Sequence, residues 1–117
     1  MQIEAGDIVF CRFPCDEGGS LPHYGLVISA QTSAVRAPTY RVAYGSSQKV
    51  SESGHLPHEF VLVNREEVKK YGLKKPTRFD LKRITRITAT DVLDVCGSLD
   101  PNDGRVMRRL RDAYNKA

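Results

Sequence analysis

The stretch Gly6–Pro14, "GDIVFCRFP", decides the architecture. Strand alternation sends Ile8 and Phe10 to one side and Val9, Cys11 and Phe13 to the other. Both sides are apolar. A strand buried on both faces suits a small closed barrel rather than a sheet with one wet face. Pro14 ends the run, because proline donates nothing to a sheet ladder. "CDEGGSLP" then reads as a loop, Cys15 to Pro22, predicted to gate a groove.

Working outward, the next strand is predicted from about His23 to Ala30, followed by the loop "QTSAVRAP". "TYRVAYG" reads as a third strand, with Tyr40, Val42 and Tyr44 on one face and Arg41 and Ala43 on the other. The polar loop "SSQKVSESGHLP" leads to a fourth, "HEFVLV". Asn64 is placed to cap a short helix, "REEVKKYG", ended by Gly72. "TRFDLKRITRI" reads as a long fifth strand, with Phe79 and Leu81 inward and Arg78, Asp80 and Lys82 outward. Alternation fails at Arg83–Ile84, which predicts a bulge or bend. Two helices are expected after it. Thr90 would cap "DVLDVC", and Asp100–Pro101 would start the last one. There Val106, Leu110, Ala113 and Tyr114 recur at helical spacing, with Arg105, Arg108, Arg109 and Arg111 around the rest. The expectation is a mainly β, small, bent antiparallel barrel of five strands, with short helices and a C-terminal amphipathic helix.

The chain has 117 residues, enough for one domain and one core. At 40% apolar and 27% charged residues its composition is that of a globular protein. No apolar run is long enough to span a bilayer. "MQIEAGDIVF" shows no basic region leading into an apolar stretch, so a cytoplasmic location is expected. Three cysteines, an odd count, argue against a secreted disulfide framework. Cys11, Cys15 and His23 match no common zinc spacing, and neither metal nor cofactor is expected. The net charge of +4 is unevenly spread. Residues 69–86 carry eight basic and one acidic side chain, and residues 105–117 carry five and one. Two basic blocks on an otherwise acidic chain fit either a solvated face or a polyanionic partner such as nucleic acid.

"GDIVFCRFP", the Gly-rich loop, "GLVIS", "RVAYGSSQKV", "EFVLV" and "YGLKKPTRFDLKRI" occur in an order that resembles the PemK/MazF family, from about Gly6 to Ile87. These are toxin components of type II toxin–antitoxin systems. The resemblance implies an SH3-like barrel, a homodimer, and metal-independent cleavage of single-stranded RNA. It also implies an antitoxin partner whose acidic or amphipathic tail covers the RNA groove. In such a reaction the 2′-hydroxyl attacks the neighbouring phosphorus. A base must take its proton, charge must be stabilised, and the 5′-oxygen must be protonated. The nucleophile is already tethered to its target, so no metal is required.

By the same resemblance, Ser46 in "YGSSQK" takes the place of the family's hydroxyl residue after the third strand, with Ser47 beside it. The alternative for Ser46 is a loop serine capping a turn. The family's Arg-Pro before the second strand is here His23-Tyr24. Arginine is a permanent bidentate cation, whereas histidine shuttles protons near neutral pH. Three outcomes are open. His23 acts as acid or base. Or another cation, Arg12, Arg36 or Lys49, supplies the charge. Or the site has lost cleavage and the fold is kept for binding. His23 and Ser46 are thus the catalytic candidates, and Arg12, Tyr24, Arg36, Ser47, Gln48 and Lys49 the RNA-binding ones. His55 and His58, flanking "LP", are a possible acid–base pair or plain turn histidines. A DNA-associated regulator using the basic C-terminal helix is a third reading, without a helix-turn-helix to support it.

Overall fold

The computed structural model describes residues 2–14 and 21–117. The loop expected to gate a groove falls almost wholly outside them, as does Cys15. Six strands form one antiparallel sheet: β1 (Asp7–Cys11), β2 (His23–Gln31), β3 (Thr39–Ser46), β4 (Glu59–Leu62), β5 (Thr77–Thr88) and β6 (Val92–Ser98). Their order across the sheet is β4-β5-β3-β2-β1-β6. Helix α1 (Arg65–Lys70) follows β4, and α2 (Gly104–Asn115) ends the chain. The fold is mainly β, as the alternation in β1, β3 and β5 predicts. None of the helices among the described residues is long and apolar enough to cross a membrane.

Both faces of the sheet are buried. Ile8, Leu26, Ala43, Phe60, Phe79 and Leu81 join Val106 and Ala113 of α2 in one core. Val9, Cys11, Phe13, Val27, Tyr40, Val42 and Ile87 form the other. Burial pushes the Cys11 thiol up to about 12, with Asp91 adding to the effect.

The sheet is not closed, because β4 and β6 are its two edges and do not pair. The turn after α1 reaches β6 instead. Asn64 caps α1, its side chain accepting from the Glu66 N–H. At the other end the Gly72 N–H donates to Lys69 and the Leu73 N–H to Val68, with Gly72 at φ +76°. This is the Schellman arrangement that glycine permits. A Cβ at Gly72 would lie 2.0 Å from the Cys96 carbonyl oxygen, so the turn packs backbone to backbone on β6.

Two helix expectations are corrected. "DVLDVC" is strand β6, preceded by a single 3-10 turn, Ala89–Asp91. Val92 pairs with Cys11 and Val95 with Val9, and this long-range ladder overrides the local pattern. Thr90 caps nothing there; Asp91 instead accepts from the Thr88 N–H. The last helix starts at Gly104 rather than after Asp100. Asp100 is used in a turn, accepting from the Asn102 N–H, and Asp103 caps α2 by accepting from Val106. Along α2, Val106 and Ala113 are buried, but Tyr114 is 45% exposed. Arg109 reaches α1, its Nη2 donating to both carboxylate oxygens of Glu67 at 2.8 and 2.9 Å.

Candidate functional site

The β2–β3 pair builds the site. Gly25 stands opposite Tyr44. Continuing that register by two residues sets His23 opposite Ser46, on the face that carries Tyr44. The strands approach closely here: a Cβ at Gly45 would lie 2.5 Å from the Tyr24 carbonyl oxygen. His23 and Tyr44 are therefore diagonal neighbours across the pair, a spacing that aromatic side chains bridge.

They do bridge it. The Tyr44 hydroxyl lies 3.2 Å from both His23 Nδ1 and Nε2, and the ring centroids are 4.8 Å apart. The phenol can donate to an unprotonated ring nitrogen or accept from a protonated one. Phe13 packs beside Tyr44 with centroids 5.0 Å apart. The Arg83 guanidinium carbon sits 3.9 Å from the centroid of the Tyr44 ring. Arg83 reaches it from the bulge in β5. The register passes from Ala43↔Ile84 directly to Tyr44↔Asp80, so Leu81, Lys82 and Arg83 bulge out where alternation fails in the sequence.

The same face continues across β5 to β4. Ser46 stands opposite Arg78, and Asp80 opposite Glu59. Arg78 donates from Nη1 to Glu59 Oε2 at 2.7 Å and from Nε to the Gln48 carbonyl at 2.9 Å. Glu59 is 5% exposed and also accepts from the Leu56 N–H. Burial pushes its carboxyl up, but the Leu56 N–H and the Arg78 guanidinium outweigh that and hold it below the usual glutamate range. His58 Nε2 lies 3.5 Å from Asp80 Oδ1.

The sequence candidates divide accordingly. His23 and Ser46 share one face at one end of the β2–β3 pair. Ser46 Oγ accepts from the Gln48 N–H at 3.2 Å, the turn-capping bond of its alternative reading. Ser47, Gln48 and Lys49 continue from it, with Ser47 Oγ 3.5 Å from Thr77 Oγ1 and Lys49 at φ +54°. Arg12 is exposed just past the Cys11↔His23 pair. Tyr24 belongs to the opposite face: it packs on Phe10 and its hydroxyl accepts from the Lys74 N–H. Arg36 is exposed in the loop joining the far ends of β2 and β3. His55 bonds the Leu56 carbonyl and His58 faces Asp80, so the two do not form a facing pair. Sequence reasoning missed Tyr44 and Arg83. Tyr44 is two residues from Ser46 on the same strand face, and Arg83 marks the lost alternation; together these signals point to both.

Among the described residues no three or more His, Cys, Asp or Glu side chains group to hold a metal ion.

The six-stranded antiparallel sheet with its two helices has the fold of the MazF/PemK-like toxins. Two solved structures carry the comparison. The Mycobacterium tuberculosis toxin MazF-mt6 matches at a TM-score of 0.63 over 94% of this chain and 93% of its own, with 16% identity. An endoribonuclease solved in complex with its cognate antitoxin, from a mycobacterial species, matches at 0.65 over 99% and 94%, with 12% identity. At these identities the likeness is one of fold. No protein-family model and no curated protein sequence matches the chain.

Proposed function

We propose that this chain is the toxin of a toxin–antitoxin pair, a metal-independent endoribonuclease acting on single-stranded RNA. The observation that carries this is the placement of His23 and Ser46 on one face of a MazF-like sheet, with the Tyr44 hydroxyl on the imidazole. In the reaction, a bond forms between the 2′-oxygen and phosphorus, and the bond from phosphorus to the 5′-oxygen breaks. Neutral His23 takes the 2′-hydroxyl proton, and water protonates the leaving 5′-oxygen. Tyr44 positions the imidazole through its hydroxyl, 3.2 Å from both ring nitrogens. Ser46 orients the phosphate through its hydroxyl. The products are a 2′,3′-cyclic phosphate and a 5′-hydroxyl, and phosphorus changes no oxidation state.

An antitoxin is the matching partner, supported by the mycobacterial endoribonuclease solved with its cognate antitoxin. A homodimer in the cytoplasm is the assembly and location that go with this reading. A second reading, an RNA- or antitoxin-binding barrel without cleavage, is favoured by one observation: the Ser46 hydroxyl is already held by the Gln48 N–H.

The test is incubation of single-stranded RNA with the protein in excess chelator. Cleavage leaving cyclic phosphate ends is expected. His23→Ala should slow it about 100-fold or more, the usual contribution of one proton-transfer group. Ser46→Ala should slow it less. Intact RNA that is nonetheless bound would establish the second reading, and undiminished cleavage by both variants would move the site elsewhere.

A further inference from the structure

We propose that the cleft between α2 and β2 binds a nucleoside monophosphate whose base carries an amino group. The cleft lies on the sheet face that packs against α2, with Ile28, Met107 and Leu110, whereas Tyr44 and His23 belong to the other face. The inference stands whether or not RNA is cut at His23. The cleft holds about 720 Å³, and small-molecule sites fill roughly 300–1,000 Å³.

Two local features build it. Val27 pairs with Val42 but Ser29 with Arg41, so β2 spends an extra residue, Ile28, on one step of β3. Such a bulge re-aims side chains, and Ile28 and Ser29 both line the cleft. Facing them are Met107, Leu110, Arg111 and Tyr114, one face of α2 at i, i+3, i+4 and i+7. The Tyr114 ring is 45% exposed and open to stacking.

Charge says what fits. Arg41 is half-buried in the β3 wall of the cleft, and Arg86 stands directly opposite it in the ladder. Like charges so placed destabilise a sheet. Among the described residues no carboxylate pairs with either guanidinium. A half-buried guanidinium without a counter-charge is a standing demand for an anion. Arg111 adds a third cation, and Ser29, opposite Arg41, a hydroxyl. Beyond β2 the wall is the Glu4–Asp7 turn, closed by the Asp7 N–H donating to the Glu4 carbonyl at 3.1 Å, with Glu4 exposed. β3 and β1 flank β2, so these walls stand two strand spacings apart, about 10 Å. The ligand therefore carries an anion at one end, an N–H donor at the other and an apolar body between. A fatty acid lacks the donor, and a dicarboxylate meets Glu4. An aminated nucleotide supplies a phosphate for the arginine pair, a ring for Tyr114 and an amino edge for Glu4, as carboxylates accept from cytosine N4.

The test titrates cytidine 5′-monophosphate into the full chain by calorimetry. Saturable binding of one nucleotide per chain is expected. Arg41→Gln should weaken it about tenfold, the worth of one hydrogen bond to a charged group. Arg86→Gln, at an exposed position that the fold tolerates, should weaken it less. Cytidine without phosphate should bind weakly and equally to the wild type and Arg41→Gln. Glu4→Gln should erase the preference for cytidine over uridine monophosphate, because a glutamine amide also donates to uracil O4. His23→Ala should leave the affinity unchanged. A 5′-phosphorylated oligonucleotide beginning with cytidine, methylated at every 2′-oxygen against cleavage, separates two sources of this chemistry. If it displaces the mononucleotide, the end of an RNA is the ligand; if it does not, a free nucleotide is.

No binding by the wild type at millimolar nucleotide overturns the site, as does full affinity in both arginine variants. An equal loss in His23→Ala would put the nucleotide on the other face. A wild-type dimer that Arg41→Gln splits into monomers would show that a second copy fills the cleft, and the nucleotide site would fall.

Discussion

Two arginines of β5 on the same strand face different fates. Arg78 lies before the bulge in regular ladder, opposite Ser46. Its guanidinium is spent on a buried carboxylate and a loop carbonyl. Arg83 lies in the bulge, exposed, with its guanidinium on the face of Tyr44. Regular pairing pulls an arginine into structure, because its neighbours across the ladder are fixed and can be chosen to satisfy it. A bulge takes an arginine out of the regular ladder, and here it lays the guanidinium against an aromatic ring. Charge counting alone treats the two as equal.

Substitution at Arg78 breaks the contrast most sharply. Arg78→Gln leaves Glu59, 5% exposed, without its counter-charge. Removing one partner of a buried pair costs about 3 kcal/mol. A thermal or denaturant melt should record the loss, and RNA binding at low temperature should survive wherever the protein remains folded. A stable Arg78→Gln protein that binds RNA poorly would mean that Arg78 serves the ligand rather than the fold.

Glu59→Gln removes the charge and keeps one acceptor oxygen where Leu56 and Arg78 now use two, and should cost less, about 2 kcal/mol. It also changes the pH dependence. The Glu59 carboxyl is held below its unfolded value, near 4.3 for a free glutamate. Its contribution is therefore fully present above that value and is lost as pH falls through the lower folded one. The melting temperature of the wild type should drop on acidification below about pH 4. The Glu59→Gln curve should start lower and be flatter there. Parallel curves would show that the pair does not govern acid stability.

Arg83→Gln takes the cation off the Tyr44 ring, a contact worth about 1 kcal/mol at an exposed site. A melt that falls as far as that of Arg78→Gln would show that the stack serves the fold, and would erase the difference between the two arginines.

The sequence makes visible what depends on neighbours along the chain. Strands β1, β3 and β5 follow from alternation, β2 and β4 from short apolar runs between loops, and α1 from Asn64 and Gly72. The bulge follows from two adjacent residues that cannot both face out. What it hides is decided by distant partners. "DVLDVC" has the apolar spacing of a helix turn, and only pairing of Val92 and Val95 with β1 makes it a strand. The open sheet has the same cause: the Gly72 turn, rather than a strand, reaches β6. At the candidate site, His23 stands out because it sits at a strand mouth after a Gly-rich loop, whereas Ser46 is picked out by the resemblance of "YGSSQK" to the family. The Arg83–Tyr44 stack is not legible, because it needs to be known how many residues the bulge absorbs. Arg36 was legible by charge alone, but position along β2 separates it from His23.

That separation supplies the smallest effect and the finest check. β2 runs nine residues from His23 to Gln31. At about 3.3 Å per residue, its ends are roughly 26 Å apart before twist. Arg36 lies in the loop beyond the far end. A short oligonucleotide seated on His23 and Ser46 does not reach it. Arg36→Gln is expected to leave the melting temperature, the cleavage rate and the salt dependence of binding a short oligonucleotide unchanged. With oligonucleotides of increasing length, the wild type and Arg36→Gln should diverge only if the strand follows the hairpin along its length. The length at which they part would measure the track. A difference already present with the shortest cleavable RNA would place the phosphate path along the hairpin's far end, away from His23 and Ser46.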